Sequence, residues 1–221
     1  MTVPFSANSD ADAPPSRREQ ILAAAAELFA RHGFHGVGID DIGAAVGISG
    51  PALYRHFRGK DAMLGEMLTS ISEHLLAGGQ RILAQAPDPG SALPELVRFH
   101  VGFALDHPAL ITVQERSLAN LTEPDRRRVR SVQRRYVEIW AEGIRSRVPG
   151  VPRDCARAAA HAVFGLINST PHSAVLDRAR MADLLSGMAL TALTPDSLTA
   201  CRGKAAAGPR DQRSTTGAPD T

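Results

Sequence analysis

The sequence predicts an all-α protein: a three-helix head at the N-terminus, then a larger helical body, about nine helices in all. Three observations carry that expectation. Apolar residues recur at three- and four-residue spacing through almost every segment long enough to judge, which lines one face of a helix. Pro, Gly and capping Ser, Thr or Asp residues fall mostly between those segments. No run shows the apolar–polar alternation of a half-buried strand.

The first helix is predicted over residues 17–32. Ser16 followed by Glu19 makes a capping box, in which each side chain satisfies a backbone N–H at the helix start. Ile21, Ala25, Leu28 and Phe29 share one face, and Gly33 supplies the residue that ends the helix. A short second helix, 39–45, begins after Gly38 with Ile39, and Asp40 and Asp41 complement the positive end of its dipole. Ile42 and Val46 point inward. Gly47 then permits a sharp turn, Ile48 plugs the corner, and Ser49 caps a third helix running to about Phe57. Helix, glycine turn, helix is the helix-turn-helix arrangement, whose second helix enters the major groove of DNA.

The third helix is too short and too polar to be ordinary core. Gly50, Pro51 and Ala52 are small and permit close approach to base edges. Leu53 and Phe57 face inward, leaving Tyr54, Arg55 and His56, with the following Lys60, to reach phosphates. Arg55 also suits a guanine edge. The candidate DNA face is therefore Gly38, Ile39, Ser49, Gly50, Pro51, Ala52, Tyr54, Arg55, His56 and Lys60.

The run GISGPALYRHFRGKDAML, residues 47–64, resembles the signature that closes the helix-turn-helix of the TetR family of transcriptional regulators, above all in Leu53, Tyr54, His56, Phe57 and Lys60. LFARHGF and DDIGAAVGIS upstream are similar to it as well. The resemblance covers residues 16–65 closely and the remainder in length and helical character. Two departures stand out. Val37 and Gly38 replace a Thr or Ser pair common in the family, and Gly50 and Pro51 replace a basic residue and glycine. Sequence preference then rests more on Tyr54, Arg55 and DNA shape.

From Gly59 a long fourth helix is expected, with Met63, Leu64, Met67, Leu68, Ile71, Leu75 and Leu76 on its buried side. Gly78 and Gly79 are expected to loosen or kink it, each costing about 1 kcal/mol relative to Ala. In the family this helix joins head to body. Further helices are predicted at 92–106, 109–120, 123–147, 153–169 and 177–193, separated by His107-Pro108, Thr122-Glu123-Pro124, Pro149-Gly150, Pro152 and Pro171. The domains expected are an arm at 1–15, the DNA-binding head at 16–60, an effector and dimerisation body at 61–200, and a tail at 201–221. Arm and tail are rich in Ser, Pro, Gly, Thr and charge, the composition of disorder.

Composition limits the function classes. The net charge is only +2 and the bases are nearly all Arg, with Lys at 60 and 204 alone. Such a mild balance permits DNA binding without proving it. Cys155 and Cys201 form neither a metal pattern nor a disulfide framework, which points to a reducing, cytoplasmic compartment. No leader pattern opens the chain and no apolar run reaches about 18 residues, so neither export nor membrane partnership is expected. Neither nucleotide loop, nucleophile elbow nor metal-protease motif is present, and His100, His161 and His172 lack acidic or cysteine partners. No cofactor, metal or catalytic residue is expected.

A small-molecule pocket fits the body better. Phe99, Phe103, Leu110, Gln114, Leu118, Tyr136, Trp140, Phe164 and Asn168 combine apolar surface with a few polar groups, the mix of a site between helices. Each is equally readable as core. The arginines at 126, 127, 128, 130, 134 and 135 read as a solvated face or as partners of a ligand's anion. The resemblance implies an effector that releases double-stranded operator DNA, and a homodimer formed by the last two helices around a two-fold axis. HPALITVQERSLANL, 107–121, is similar to a branch of the family linked to acyl-thioester catabolism, which implies an acyl-CoA effector. The expected function is a ligand-responsive repressor, with an activator, an effector-independent DNA-binding protein or a helical enzyme as the alternatives.

Overall fold

Eight helices of seven residues or more and two of four carry the fold in the computed structural model, which describes residues 14–173 and 175–199. They are α1 (Arg17–His32), α2 (Ile39–Ala45), α3 (Gly50–Leu53), α4 (Lys60–Gln85), α5 (Pro89–Asp106), α6 (Pro108–Ser117), α7 (Glu123–Arg147), α8 (Arg153–Ile167), α9 (Thr170–Ser173) and α10 (Arg178–Ala192). A 3₁₀ turn, Leu118–Asn120, follows α6. No strand occurs among the described residues.

Local chemistry sets the ends of the head helices. At α1 both arms of the capping box close, Ser16 N–H donating to Glu19 at 2.8 Å and Glu19 N–H to the Ser16 hydroxyl at 3.3 Å. Gly47 takes φ +70°, the left-handed conformation that turns the chain between α2 and α3. The Ser49 hydroxyl then accepts from Ala52 N–H and caps α3. Ile21, Leu22, Phe29, Ile42, Leu53 and Phe57 bury together beneath these elements. Each large side chain so buried contributes roughly 1.5–3 kcal/mol.

α3 is shorter than the expected span to Phe57. From Arg55 the bonding tightens, Arg55 N–H reaching Ala52 and His56 N–H reaching Leu53, so residues 54–56 form a turn. The bulky Phe57 closes it, since its ring must return to the core. Arg18 lies over that ring at 4.1 Å and pairs with Glu66 of α4.

In the body α7 packs on both α4 and α5, α8 on α7, and α10 on α5 and α8. Trp140 of α7 is fully buried at the centre. The expected weakness at Gly78 and Gly79 is absent: α4 runs unbroken through both. A Cβ on Gly78 would overlap the Phe99 ring, and one on Gly79 would stand 2.9 Å from Tyr136. These glycines serve close packing. α5 starts three residues earlier than predicted because Asp88 accepts from Gly90 and Ser91 N–H. Among the described residues no helix is long and apolar enough to cross a membrane.

Head and body meet where α1 packs on α6. His35 in the loop after α1 also shares a 3.0 Å hydrogen bond with Asn120. The expectations for the first thirteen residues, the tail and Cys201 lie outside the described residues. Cys155 on α8 is not a free thiol, contrary to the expectation that the cysteines take no part in a disulfide.

Candidate functional site

Close contact between α2 and α3 builds the outer face of the head. A Cβ on Gly43 would stand 2.6 Å from the Ile48 carbonyl, and one on Gly50 would overlap the Asp40 carboxylate. The two helices therefore meet at backbone distance. This places Pro51, Tyr54 and Arg55 on the outside, Tyr54 with 57% of its surface exposed. Neither the Tyr54 hydroxyl nor the Arg55 guanidinium has a partner among the described residues.

The other candidates divide. Gly38 is exposed, its N–H held by Asp41 at 2.7 Å, and Ile39 beside it is half-buried. Ser49 is exposed and spends its hydroxyl on the cap. Ala52 and His56 are half-buried, and the His56 carbonyl accepts from Arg18. Gly50 is buried in the corner. Lys60 departs most from expectation. Its ammonium donates to the carbonyls of Phe34 and Val37, each at 3.0 Å, and stands 4.7 Å from the Phe34 ring centre. Those carbonyls end the α1–α2 loop without helical partners, so the cation is drawn inward to them. Arg58, exposed and unpaired one residue beyond Phe57, was missed by the sequence reading. Its signal was a cation directly after Phe57, at a motif position given no role.

Inside the body lies a cavity of about 200 Å³. Four of the nine candidates line it: Gln114, Tyr136, Phe164 and Asn168. Leu110 instead lines a separate hollow of about 350 Å³ between α1, α2 and the α5–α6 joint. Phe99 covers Gly78, and Phe103 lies between the rings of His74 and His107. Leu118 is half-buried on the 3₁₀ turn, and Trp140 stands behind the cavity, edge-on to Phe164. Ser72, His100, Gln133 and His161 complete the polar lining.

His100 is the residue the sequence reading undervalued. It is 3% exposed, and its ring stacks on Phe164 and Tyr136. Nε2 donates to Asn168 Oδ1 at 3.2 Å, so Nδ1 accepts the Tyr136 hydroxyl proton, also at 3.2 Å. Burial lowers its pKa to about 4, and burial raises that of Tyr136. Both groups are neutral near pH 7. The signal was its place on the stripe of Leu93, Leu96, Val97 and Ala104, where a histidine must be satisfied inside.

Residues 21–67 match the family of bacterial regulatory proteins known as the tetR family, and residues 87–172 match the tetracyclin repressor-like C-terminal domain. Together the two cover more than half of the chain.

The chain belongs to the TetR family.

Among TetR-family relatives, the transcriptional repressor KstR2 of Mycolicibacterium smegmatis is 32% identical over 138 residues, 59% of this chain and 66% of that protein, just under two thirds of its length. A solved TetR-family regulator from Bordetella parapertussis superimposes with a TM-score of 0.73 at 25% identity, covering 80% of this chain and 93% of that one. AibR, solved in complex with isovaleryl coenzyme A and operator DNA, shares the fold with a TM-score of 0.66 at 20% identity, over 78% of this chain and 97% of that one.

The matched TetR C-terminal segment holds Gln114, Gln133, Tyr136 and Asn168, and leaves α10 outside. On α10, Leu184 and Met188 are 47% and 49% exposed beside a shallow groove formed with Leu166, Gly187 and Thr191. The arginine run on α7 divides as well. Arg126 and Arg127 pair with Glu123, and Arg128 with Glu73. Arg130 and Arg134 are exposed and unpaired, on the turns next to Gln133 of the cavity wall.

Proposed function

We propose that this TetR-family protein is a ligand-responsive transcriptional regulator, a repressor that binds a palindromic operator as a homodimer and is released by an acyl-CoA or related lipid metabolite. The observation that carries the proposal is one chain holding an exposed, unpartnered Tyr54–Arg55 face on a helix-turn-helix and a partly enclosed cavity in its helical body. Residues 16–60 act as the reading head and 61–200 as the effector and dimerisation body. Tyr54, Arg55 and Arg58 contact phosphates or base edges, while Gly38, Ser49, Pro51 and Ala52 let the backbone come close.

Dimerisation is supported by the apolar exposure of Leu184 and Met188, which a second copy of α8 and α10 would cover. An acyl-CoA effector is supported by the mixed lining of the cavity and by the unpaired Arg130 and Arg134 next to its wall, whose guanidinium groups match phosphate. The complex reported for AibR speaks for the same ligand class. A DNA partner is in keeping with a cytoplasmic protein. Release follows from linkage: a ligand preferring one spacing of the two heads shifts the population to it, and operator DNA opposes the shift by the same free energy.

A fluorescence-anisotropy titration on DNA upstream of the protein's own gene, at two salt concentrations, with and without acyl-CoAs, tests the proposal. Salt-sensitive binding to a palindrome, abolished by one thioester, is the expected result. Binding that no thioester relieves would remove the effector from it.

A further inference from the structure

At the cavity stands a hydrogen-bond acceptor that nothing among the described residues satisfies. Gln114 Oε1 is buried and has no partner among the described residues. A buried amide oxygen without a donor is unfavourable, and native proteins keep few of them. The neighbouring network cannot help. Asn168 Oδ1 is occupied by His100 Nε2–H, and the Tyr136 proton is committed to His100 Nδ1. The Ser72 hydroxyl proton goes to the Leu68 carbonyl at 2.8 Å. Gln114 Oε1 thus stands at the cavity wall with no donor assigned to it.

The walls also limit the charge of an occupant. Among the described residues no Asp or Glu lines the cavity, and His100 is neutral near pH 7. An ammonium group would therefore be buried without a counter-ion, which is strongly disfavoured. A carboxylate would meet Gln114 Oε1 acceptor to acceptor. A plain hydrocarbon would fill the volume and leave that oxygen as it is. The group that fits is neutral and donates a proton, a hydroxyl or a secondary amide.

We propose that the cavity selects an oxygenated acyl chain, one carrying a hydroxyl that donates to Gln114 Oε1, over the saturated acyl chain of the same length. This deepens the effector reading and rests on it only for the thioester carrier. A site built to pair a ligand hydroxyl discriminates strongly against the analogue that lacks it, because its own polar group then stays unpaired.

The test is calorimetric titration of the full chain with 3-hydroxyoctanoyl and octanoyl thioesters, each supplied both as the CoA ester and as the N-acetylcysteamine ester. The hydroxylated member of a pair is expected to bind at least about tenfold more tightly, given the usual cost of an unpaired buried polar group. In Gln114→Met that preference should fall to about threefold or less while octanoyl binding holds or improves. The unliganded variant should melt no lower than the wild type, because the unsatisfied oxygen is gone. Preference seen only with the N-acetylcysteamine pair would keep the hydroxyl selection and remove CoA as carrier. Equal binding within both pairs, no binding of any ester, or a preference that survives in Gln114→Met would overturn the inference.

Discussion

The ring of Phe99 occupies the space in which a side chain on Gly78 would stand. α5 is thereby seated directly on the backbone of α4, the helix that also carries the head. Gly78→Ala should force the ring away and destabilise the protein by about 1–3 kcal/mol, the usual cost of overpacking. Urea denaturation measures this, and Phe99→Leu in the same chain should restore part of the loss. An unchanged midpoint in Gly78→Ala would show that the ring yields freely.

Arg55 and Lys60 should part company on DNA. Arg55→Ala is expected to weaken operator binding and lower the salt slope by about one, as for a lost phosphate contact, or to cost about 1–3 kcal/mol at one base pair if it reads an edge. Lys60→Met should leave the salt slope alone and lower the melting temperature, because its ammonium holds the Phe34 and Val37 carbonyls. A large fall in salt slope for Lys60→Met would reverse that assignment.

Acid should loosen the body through His100. Its folded pKa of about 4 lies below the unfolded value near 6.5, so the unfolded chain binds the extra proton first. Stability is then full above about pH 6.5 and falls as pH drops toward 4, by about 3 kcal/mol from this group. His74 and His107, lowered chiefly by burial, act in the same direction. Denaturation of His100→Gln across this range should show a shallower fall than the wild type.

Leu184→Glu with Met188→Glu should give a monomer by sedimentation, with operator affinity reduced far more than head stability. Two half-sites bound by the two heads of one dimer gain from one another what separate heads lose. A wild-type chain that sediments as a monomer would refute the dimer outright.

Arg130→Gln with Arg134→Gln should weaken binding of a CoA ester by tenfold or more and leave the N-acetylcysteamine ester unaffected, if these cations hold phosphate. Calorimetry on the same pair of ligands reads the difference.

The sequence made the head legible almost to the residue, because capping boxes and glycine turns are local devices: Ser16 with Glu19, Gly47 and Ser49 each act within four residues. The body helices were legible from apolar spacing alone. What escaped depends on distant partners. Gly78 and Gly79 looked like weak points until Phe99 and Tyr136 filled the space beside them, and Lys60 looked outward until two carbonyls 23 and 26 residues away claimed it. The cavity was half legible for the same reason. Gln114, Tyr136, Phe164 and Asn168 stand out as polar or aromatic on helical faces, whereas His100 gains its meaning only from Tyr136 and Asn168, 36 and 68 residues on.

The tight corner at Gly43 and Gly50 bears on how such a regulator changes its target over generations. With backbone against backbone there, α2 and α3 cannot be tilted by small degrees, since any added atom at either glycine meets the Ile48 carbonyl or the Asp40 carboxylate. Tyr54, Arg55 and Arg58, by contrast, are tied to nothing in the fold. Mutation can exchange them at little expense to stability, so a new operator is reached by swapping letters on a fixed typeface.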